Sequence, residues 1–292
     1  MFTAVVSHAQ QDAQFTQYMY NTINVNPAYA GSRGVLSIFA LHRTQWVGLD
    51  GAPLTNAVSI NTPLNGSNLG LGVSVINDRI GPTDENTISA DLSYTIPTSE
   101  TFKLSFGLKG TANLFDLDSS LLTPEQAGDP TLQNYSKFST NIGAGLYLHS
   151  DKAYLGFSVP NFIETNRFSD NDVKIFKEKV NYYLIGGYVF DITSSVKFKP
   201  AFISKVVEGS PLQMDVSGNF MFNNKFVVGA AYRWSAALSA MVGFQVSDAF
   251  FIGYGFDNET TNLKNYNSGS HEIFLRYEIF KNVDRITTPR FF

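Results

Sequence analysis

Between Pro211 and Tyr277 the chain alternates with a period of two, segment after segment. Leu212, Met214, Val216, Phe220 and Phe222 are interleaved with Gln213, Asp215, Ser217 and Asn219. After Asn223-Asn224 the phase restarts with Phe226, Val228, Ala230 and Tyr232 against Gly229, Ala231 and Arg233. Leu238, Ala240, Val242, Phe244 and Val246 follow, and then Phe250, Ile252, Tyr254 and Phe256, each set opposed by small or polar residues. Such a period marks strands with one apolar face and one polar or small face. Two solvents accommodate that pattern: the dry core of a soluble sandwich, or the acyl chains around an outer-membrane barrel. Length separates them. Soluble strands run about five or six residues, whereas a tilted membrane-crossing strand needs about nine to eleven. These segments repeat at the longer value, which predicts a membrane barrel.

Composition agrees. Charged residues make up 16% of the 292, and aromatics 14%, including 14 Tyr and 25 Phe. Soluble domains carry about 25% charge, while aromatic rings suit the girdles at lipid headgroup level. A net charge of −4 with no basic cluster argues against a nucleic-acid binder. No apolar run reaches the roughly 18 residues of a membrane helix. A mean hydropathy of −0.06 is consistent with a barrel, because half of each strand faces the lumen. The absence of cysteine removes disulfides, thiolate metal sites, a catalytic thiol and a lipoprotein anchor on Cys.

The alternation places strands near 34–46, 54–63, 69–79, 86–96, 101–114, 137–149, 152–159, 180–190, 196–206, 211–222, 225–233, 236–246, 249–257 and 270–280, fourteen in all. An even count is what single-chain outer-membrane barrels require. Connections at 64–68, 97–100, 150–151, 191–195, 223–224 and 247–248 are short, and every long loop falls among the alternate ones. Short turns are periplasmic in such barrels, so parity predicts both termini in the periplasm. The predicted fold is an all-β, transmembrane, antiparallel up-and-down barrel over 34–280.

Lys103, Lys109, Lys197, Lys199, Lys205, Asp215, Arg233, Glu272, Arg276 and Glu278 fall on the polar phase. A charge facing acyl chains at midplane costs about 2–4 kcal/mol, so this phase is assigned to the lumen. There the charges form internal ion pairs or tune a pathway. A barrel of this size is wider than side chains alone fill, so a plug is expected, from the tail before Arg33 or from loops 115–136 or 160–179.

Outside the strands the chain is less regular. Residues 1–9, with the small-x-small triplet Ser7-His8-Ala9, read as a curtailed export signal. Residues 10–33 lack alternation and read as an ordered segment packed at the barrel mouth. Asn26, Pro27 and Tyr29 are its candidates for partner contact. Loop 115–136 carries Asp116, Asp118, Glu125 and Asp129, at a spacing that fits no EF-hand. Loop 160–179 is apolar for a loop, and Phe162, Phe168 and Phe176 either fold over the mouth or offer a partner surface. The tail 281–292 reads as periplasmic, with Pro289, Arg290, Phe291 and Phe292 candidates for docking. Catalytic patterns are missing: His42, His149 and His271 lie on three separate strands, and no HExxH, GxSxG or phosphate-cradling loop occurs.

The segments QFTQYMYN, NPAYAGSRG and HRTQWVGLDGAP, the strand Tyr182-Tyr183-Leu184-Ile185-Gly186-Gly187-Tyr188 and the closing Thr288-Pro289-Arg290-Phe291-Phe292 resemble the PorP/SprF family of type IX secretion outer-membrane proteins. That resemblance spans nearly the whole chain. It implies a non-enzymatic outer-membrane component of the secretion and gliding machinery, without a cofactor. It also implies partners: secreted adhesin-like substrates bearing a C-terminal signal domain, and periplasmic machinery or peptidoglycan-linked lipoproteins. The alternatives are an outer-membrane solute channel or hydrophobic-compound transporter, a barrel enzyme, and a soluble sandwich.

Overall fold

The structure, a computed structural model, describes residues 18–121, 133–170 and 173–280. Alternation becomes strand: β1 Leu36–Thr44, β2 Leu54–Pro63, β3 Leu69–Ile80, β4 Thr83–Pro97, β5 Lys103–Leu117, β6 Tyr135–His149 and β7 Ala153–Val159. A short hairpin, β8 Thr165–Asp170 with β9 Val173–Glu178, interrupts the run. Then come β10 Asn181–Tyr188, β11 Phe190–Asp191 and β12 Val196–Val207, followed by β13 Gln213–Phe222 and β14 Phe226–Arg233. The last are β15 Ala237–Gln245, β16 Phe250–Glu259 and β17 Ser270–Ile279. Among the described residues no helix is long and apolar enough to cross a membrane.

Neighbours in sequence pair antiparallel, and two further pairings close the ring. β1 runs against β17 from Leu36↔Ile279 to Thr44↔His271, and β10 lies between β7 and β12. The two-residue β11 continues β10, leaving a closed barrel of fourteen staves with no strand at an edge along its full length. Closure matters because hydrocarbon offers no partner to an unpaired N–H or C=O.

The burial pattern names the two solvents. On β17, Ile273, Leu275 and Tyr277 are exposed, while Glu272 and Phe274 are fully buried. On β16, Ile252 and Tyr254 face out and Phe251 faces in. The exposed face is therefore the apolar one, the reverse of a sandwich, and among the described residues the other sheet is only the two-stranded β8–β9 hairpin. Val58, Val73, Val75, Ile88, Leu108 and Ile142 extend this apolar surface around the wall.

Both ends of the barrel, Leu36 and Ile279, open on the rim that carries the short turns. One of these, Asn223-Asn224, has φ of 51° and 53° at its two central residues. That is the type I′ geometry matching the twist of a two-residue hairpin, which asparagine tolerates.

The other rim departs from the sequence reading in two places. β4, β5 and β6 each reach 15 residues, so 80–85 is a tight hairpin and the strands stand higher than the alternation suggested. The upper end of the β3–β4 hairpin is polar on both faces, with Asn77, Arg79, Asp84 and Asn86 bonded together on one side and Asp78 and Glu85 on the other. A strand that has left the lipid loses its apolar phase, and with it the signal that alternation depends on. The second departure is the β8–β9 hairpin, where a loop was expected at 160–179.

A charge placed on the outer face tests the assignment of solvents. Val242→Arg, at mid-strand on β15, is expected to lower unfolding stability in lipid vesicles by about 2–4 kcal/mol. Denaturant titration followed by tryptophan fluorescence reads the change, and an unaltered midpoint would contradict a lipid-facing Val242.

Candidate functional site: the filled lumen and its vestibule

The lumen is occupied by the chain's own N-terminal segment. Residues 18–30 form three single helical turns, Tyr18–Tyr20, Thr22–Val25 (α1) and Pro27–Tyr29. A segment this short is marginal as an isolated helix, so its order comes from the wall around it. Tyr18, Met19 and Tyr20 enter an apolar cluster with Phe39, Met221, Val227, Met241, Phe251 and Phe274. Tyr20 stacks on Phe251 at 5.5 Å between ring centroids. Ile23, Ala28, Tyr29 and Ala30 join a second cluster with Tyr147, Tyr154 and Ile185. The inward phase is therefore partly apolar; Phe274 shares it with Glu272 and Arg276 because it meets Tyr20, not water.

Polar groups fix the register. The Asn26 side chain donates to the Leu146 carbonyl at 2.9 Å and accepts from the Ala28 amide at 3.0 Å, capping the turn that Pro27 begins. Ser158 donates to the Val25 carbonyl, Ser93 to the Ala30 carbonyl and Lys109 to the Ile23 carbonyl. Arg33 pairs with Glu278 where the segment meets the short-turn rim. The wall is thinned to receive this backbone. Gly107 and Gly145 face each other across β5 and β6, and a Cβ on either would strike the Asn26–Ala28 stretch.

Inward charges are paired. Arg43, 2% exposed in its side chain, reaches Asp257 at 2.7 Å and Glu272 at 3.3 Å. Lys109 meets Asp91 at 3.0 Å, and Arg233 meets Asp215 at 2.9 Å. Arg276 lies 4.9 Å from the Phe251 ring centroid and 5.9 Å from that of Tyr20, with Lys199 5.5 Å from the latter. Lys103 lies exposed at the short-turn rim. Arg43 has the same phase as these charges but went unremarked in the sequence, since its HRTQW context reads as the end of a strand.

Toward the long-loop rim the segment stops at Asn24 and Val25, which floor a polar vestibule of about 120 Å³. Its walls bear Ser74, Thr87, Ser89, Thr111, Asn113 and Asn141, with Asp78 and Glu85 above.

Other candidates from the sequence are dispersed. Asn26, Pro27 and Tyr29 are buried against the wall, so in this arrangement they present no surface to a partner. Phe162 is exposed over an apolar groove on the outer face with Leu92, Phe106, Leu108, Leu146 and Phe157. Phe168 and Phe176 pair across β8 and β9. Residues 1–9, Glu125, Asp129, Pro289, Arg290, Phe291 and Phe292 lie outside the described residues. Asp118, past the end of β5, accepts from the hydroxyl and the amide of Ser120, which hold its carboxyl below the usual range. Among the described residues no three His, Cys, Asp or Glu converge on a metal position. His149 is buried beside Ser105, whereas His42 bonds Asn56 and His271 bonds Tyr254 on the outer phase.

The model of the type IX secretion system membrane protein PorP/SprF matches residues 7–277. The chain belongs to the PorP/SprF family. No curated protein matches this PorP/SprF chain. Among solved structures it is similar to the CymD monoaromatic hydrocarbon channel, at 12% identity and TM-score 0.50 over 92% of this chain and 94% of that one. The Ralstonia pickettii toluene transporter TbuX is similar at 10% identity and TM-score 0.50, over 87% and 91%. The Acinetobacter baumannii outer membrane protein Omp33 aligns at 10% identity and TM-score 0.49, over 84% and 99%. At these identities the likeness to CymD and TbuX concerns the fold: the PorP/SprF chain is an outer-membrane β-barrel.

Two measurements probe the filled lumen. Arg43→Ala leaves Asp257 and Glu272 buried without their cation and is expected to cost about 3–5 kcal/mol of unfolding stability. Arg79→Ala, at an exposed pair, is expected to cost at most about 1 kcal/mol. Separately, Gly107→Val should displace the Asn26–Ala28 stretch and raise ion conductance in planar bilayers above the parent's. Gly110→Val, where an added carbon meets nothing within 4 Å, should leave it at the parent value.

Proposed function

We propose that this PorP/SprF protein is a non-enzymatic docking subunit of the type IX secretion and gliding machinery, holding adhesin-like substrates at the cell surface. The observation that carries this reading is the lumen itself. Buried residues from Tyr18 to Ala30 fill it, and their contacts reach most of the wall. A polypeptide cannot pass a barrel so occupied, and neither can a solute of any size, which weighs against the channel alternative. A rigid cylinder with a filled bore still offers two rims. On this reading the short-turn rim, where the barrel's first and last strands end, faces the periplasm. There the short turns at 64–68 and 97–100 and the tail 281–292 are the parts of the chain that dock periplasmic machinery or a peptidoglycan-linked lipoprotein. The opposite rim, with its raised strands β4 to β6, meets the substrate's C-terminal signal domain.

Deleting the gene tests this. Substrates should lose surface anchoring or secretion while the outer membrane stays sealed to a vancomycin-sized probe. Normal surface display in the deletion strain, scored by immunofluorescence of intact cells, would refute the proposal.

A further inference from the structure

The outer wall is not apolar to the same height all round. Across β5 and β6 the outward phase still carries large apolar side chains at Leu114 and Phe138, each eleven residues from the short-turn end of its strand, at Lys103 and His149. With a rise of about 3.4 Å per residue and a tilt of about 40°, that height is about 29 Å, enough for the roughly 25 Å apolar band of a barrel. Around the seam where the ring closes, the apolar phase ends sooner. On β1 it runs through Leu36, Ile38 and Ala40 and then turns polar at His42 and Thr44. On β17, Ile279, Tyr277, Leu275 and Ile273 give way to His271, and on β2, Ile60 and Val58 give way to Asn56. His42 lies six residues above Leu36, Asn56 seven above Pro63 and His271 eight above Ile279. By the same measure these polar groups stand only about 16 to 21 Å up the wall. They face a layer that β5 and β6 still meet with leucine and phenylalanine.

Register joins the polar groups into one patch. His42 stands opposite Asn56, and Thr44 opposite His271. Asn56 Oδ1 can only accept, so it takes the proton of His42 Nδ1 at 2.7 Å, and His42 Nε2 accepts from the Thr44 hydroxyl at 3.3 Å. The Tyr254 hydroxyl donates to His271 Nδ1 at 2.6 Å, which puts the ring proton on Nε2. Bonding within the patch thus consumes acceptors, and the capacity left over is chiefly N–H: the Asn56 amide and His271 Nε2. The carboxylate of the adjoining hairpin, Asp84, already accepts from Arg79 and Asn77. Donors turned toward a membrane are costly unless something accepts from them. Acyl chains cannot, whereas a lipid phosphate presents acceptor oxygens alone. Below the patch, Ala40 stands in register between Val58 and Leu275, a low place in the wall where a chain can lie.

We propose that the outer face of β17, β1 and β2 seats one phosphate-bearing lipid from the leaflet on the long-loop side, its phosphate drawn down to the N–H groups of His271 and Asn56 and an acyl chain lying over Ala40. The leaflet is locally thinned at the seam, the usual response to a short apolar stretch. The site needs only the barrel's place in the membrane, so substrate display in the deletion strain does not bear on it.

The test uses the full-length barrel in dodecyl maltoside, titrated with dioleoyl phosphatidic acid and read by native mass spectrometry. Dioleoylglycerol, which keeps the chains and lacks the phosphate, and inorganic phosphate as a competitor are the controls. Phosphatidic acid should bind at one per barrel, dioleoylglycerol at least tenfold more weakly, and inorganic phosphate should not displace the lipid. Asn56→Leu with His271→Leu should weaken binding at least tenfold, and Ala40→Phe, which fills the low place alone, several-fold. Thr140→Leu, on the outward phase of β6, should leave it unchanged. Heat-modifiability on gels confirms that each variant is folded. Equal binding of dioleoylglycerol, displacement by inorganic phosphate, no binding of phosphatidic acid, or binding unmoved by the seam variants would each overturn the site. The chain has no cysteine, so Thr44→Cys adds a single thiol at the patch. It should stay monomeric under oxidation in membranes, and a disulfide-linked dimer would show that a second copy covers this face in place of the lipid.

Discussion

A hydrocarbon layer gives a peptide group nothing to bond except another peptide group, and the architecture follows from satisfying that demand. Fourteen staves satisfy it only as a ring, which is why β10 must bridge β7 and β12 and β1 must meet β17. Once the ring closes, each strand has an inside and an outside, and the period of two is forced. Outside, the solvent is apolar, so Val, Ile, Leu and Phe stand exposed there without the cost they would carry in water. Inside, the problem is different: a ring of this circumference encloses more volume than its own side chains fill.

The chain fills that volume with itself. Ile23, Ala28 and Tyr29 find a hydrophobic wall in a lumen that carries both charges and apolar groups, and each large apolar side chain so buried contributes about 1.5–3 kcal/mol. The glycines of β5 and β6 belong to the same solution. Gly107↔Gly145 places two residues without side chains at one register, where Pro27 and Ala28 approach the sheet closely. Where the segment leaves gaps, ion pairs such as Arg43 with Asp257 and Glu272 complete the interior. Breaking such a pair is more costly than forming it is beneficial, because the remaining charge cannot return to water. Shape and charge in the lumen therefore hold the segment in one arrangement.

The strands were legible because lipid imposes its alternation on every residue that touches it. From Phe226 to Ile279 the outward phase read from sequence is the exposed one, and the fourteen staves and their closing order agree. Legibility failed where lipid does not reach. Asn77 to Asn86 carry polar side chains on both faces, so a hairpin of two long strands carries no periodicity there. The plug at 18–30 was less legible still. Its partners lie scattered from Phe39 to Phe274 in sequence, and no local pattern announces a contact between Asn26 and Leu146, 120 positions apart. The charges of the lumen could be assigned to a face by energy alone, but their pairing could not. Glu272 and Arg276 lie on one strand, yet the first binds Arg43 while the second packs against Phe251 and Tyr20.

The uneven height of the wall is the remaining consequence. Strands within the membrane are held near one length by its thickness, and β14 and β15, at 8 and 9 residues, keep to it. β4, β5 and β6, at 15 residues, do not. Beside them β7 stops short at Pro160, so a tall wall ends abruptly next to a low one. Past Ala144 the flank of β6 meets a loop in place of a strand, with the Phe162 amide donating to the Ile142 carbonyl. The same segment that closes the bore thus builds the bottom of a polar recess facing the long-loop rim, where Asn24 and Val25 meet the inner faces of β3 to β6.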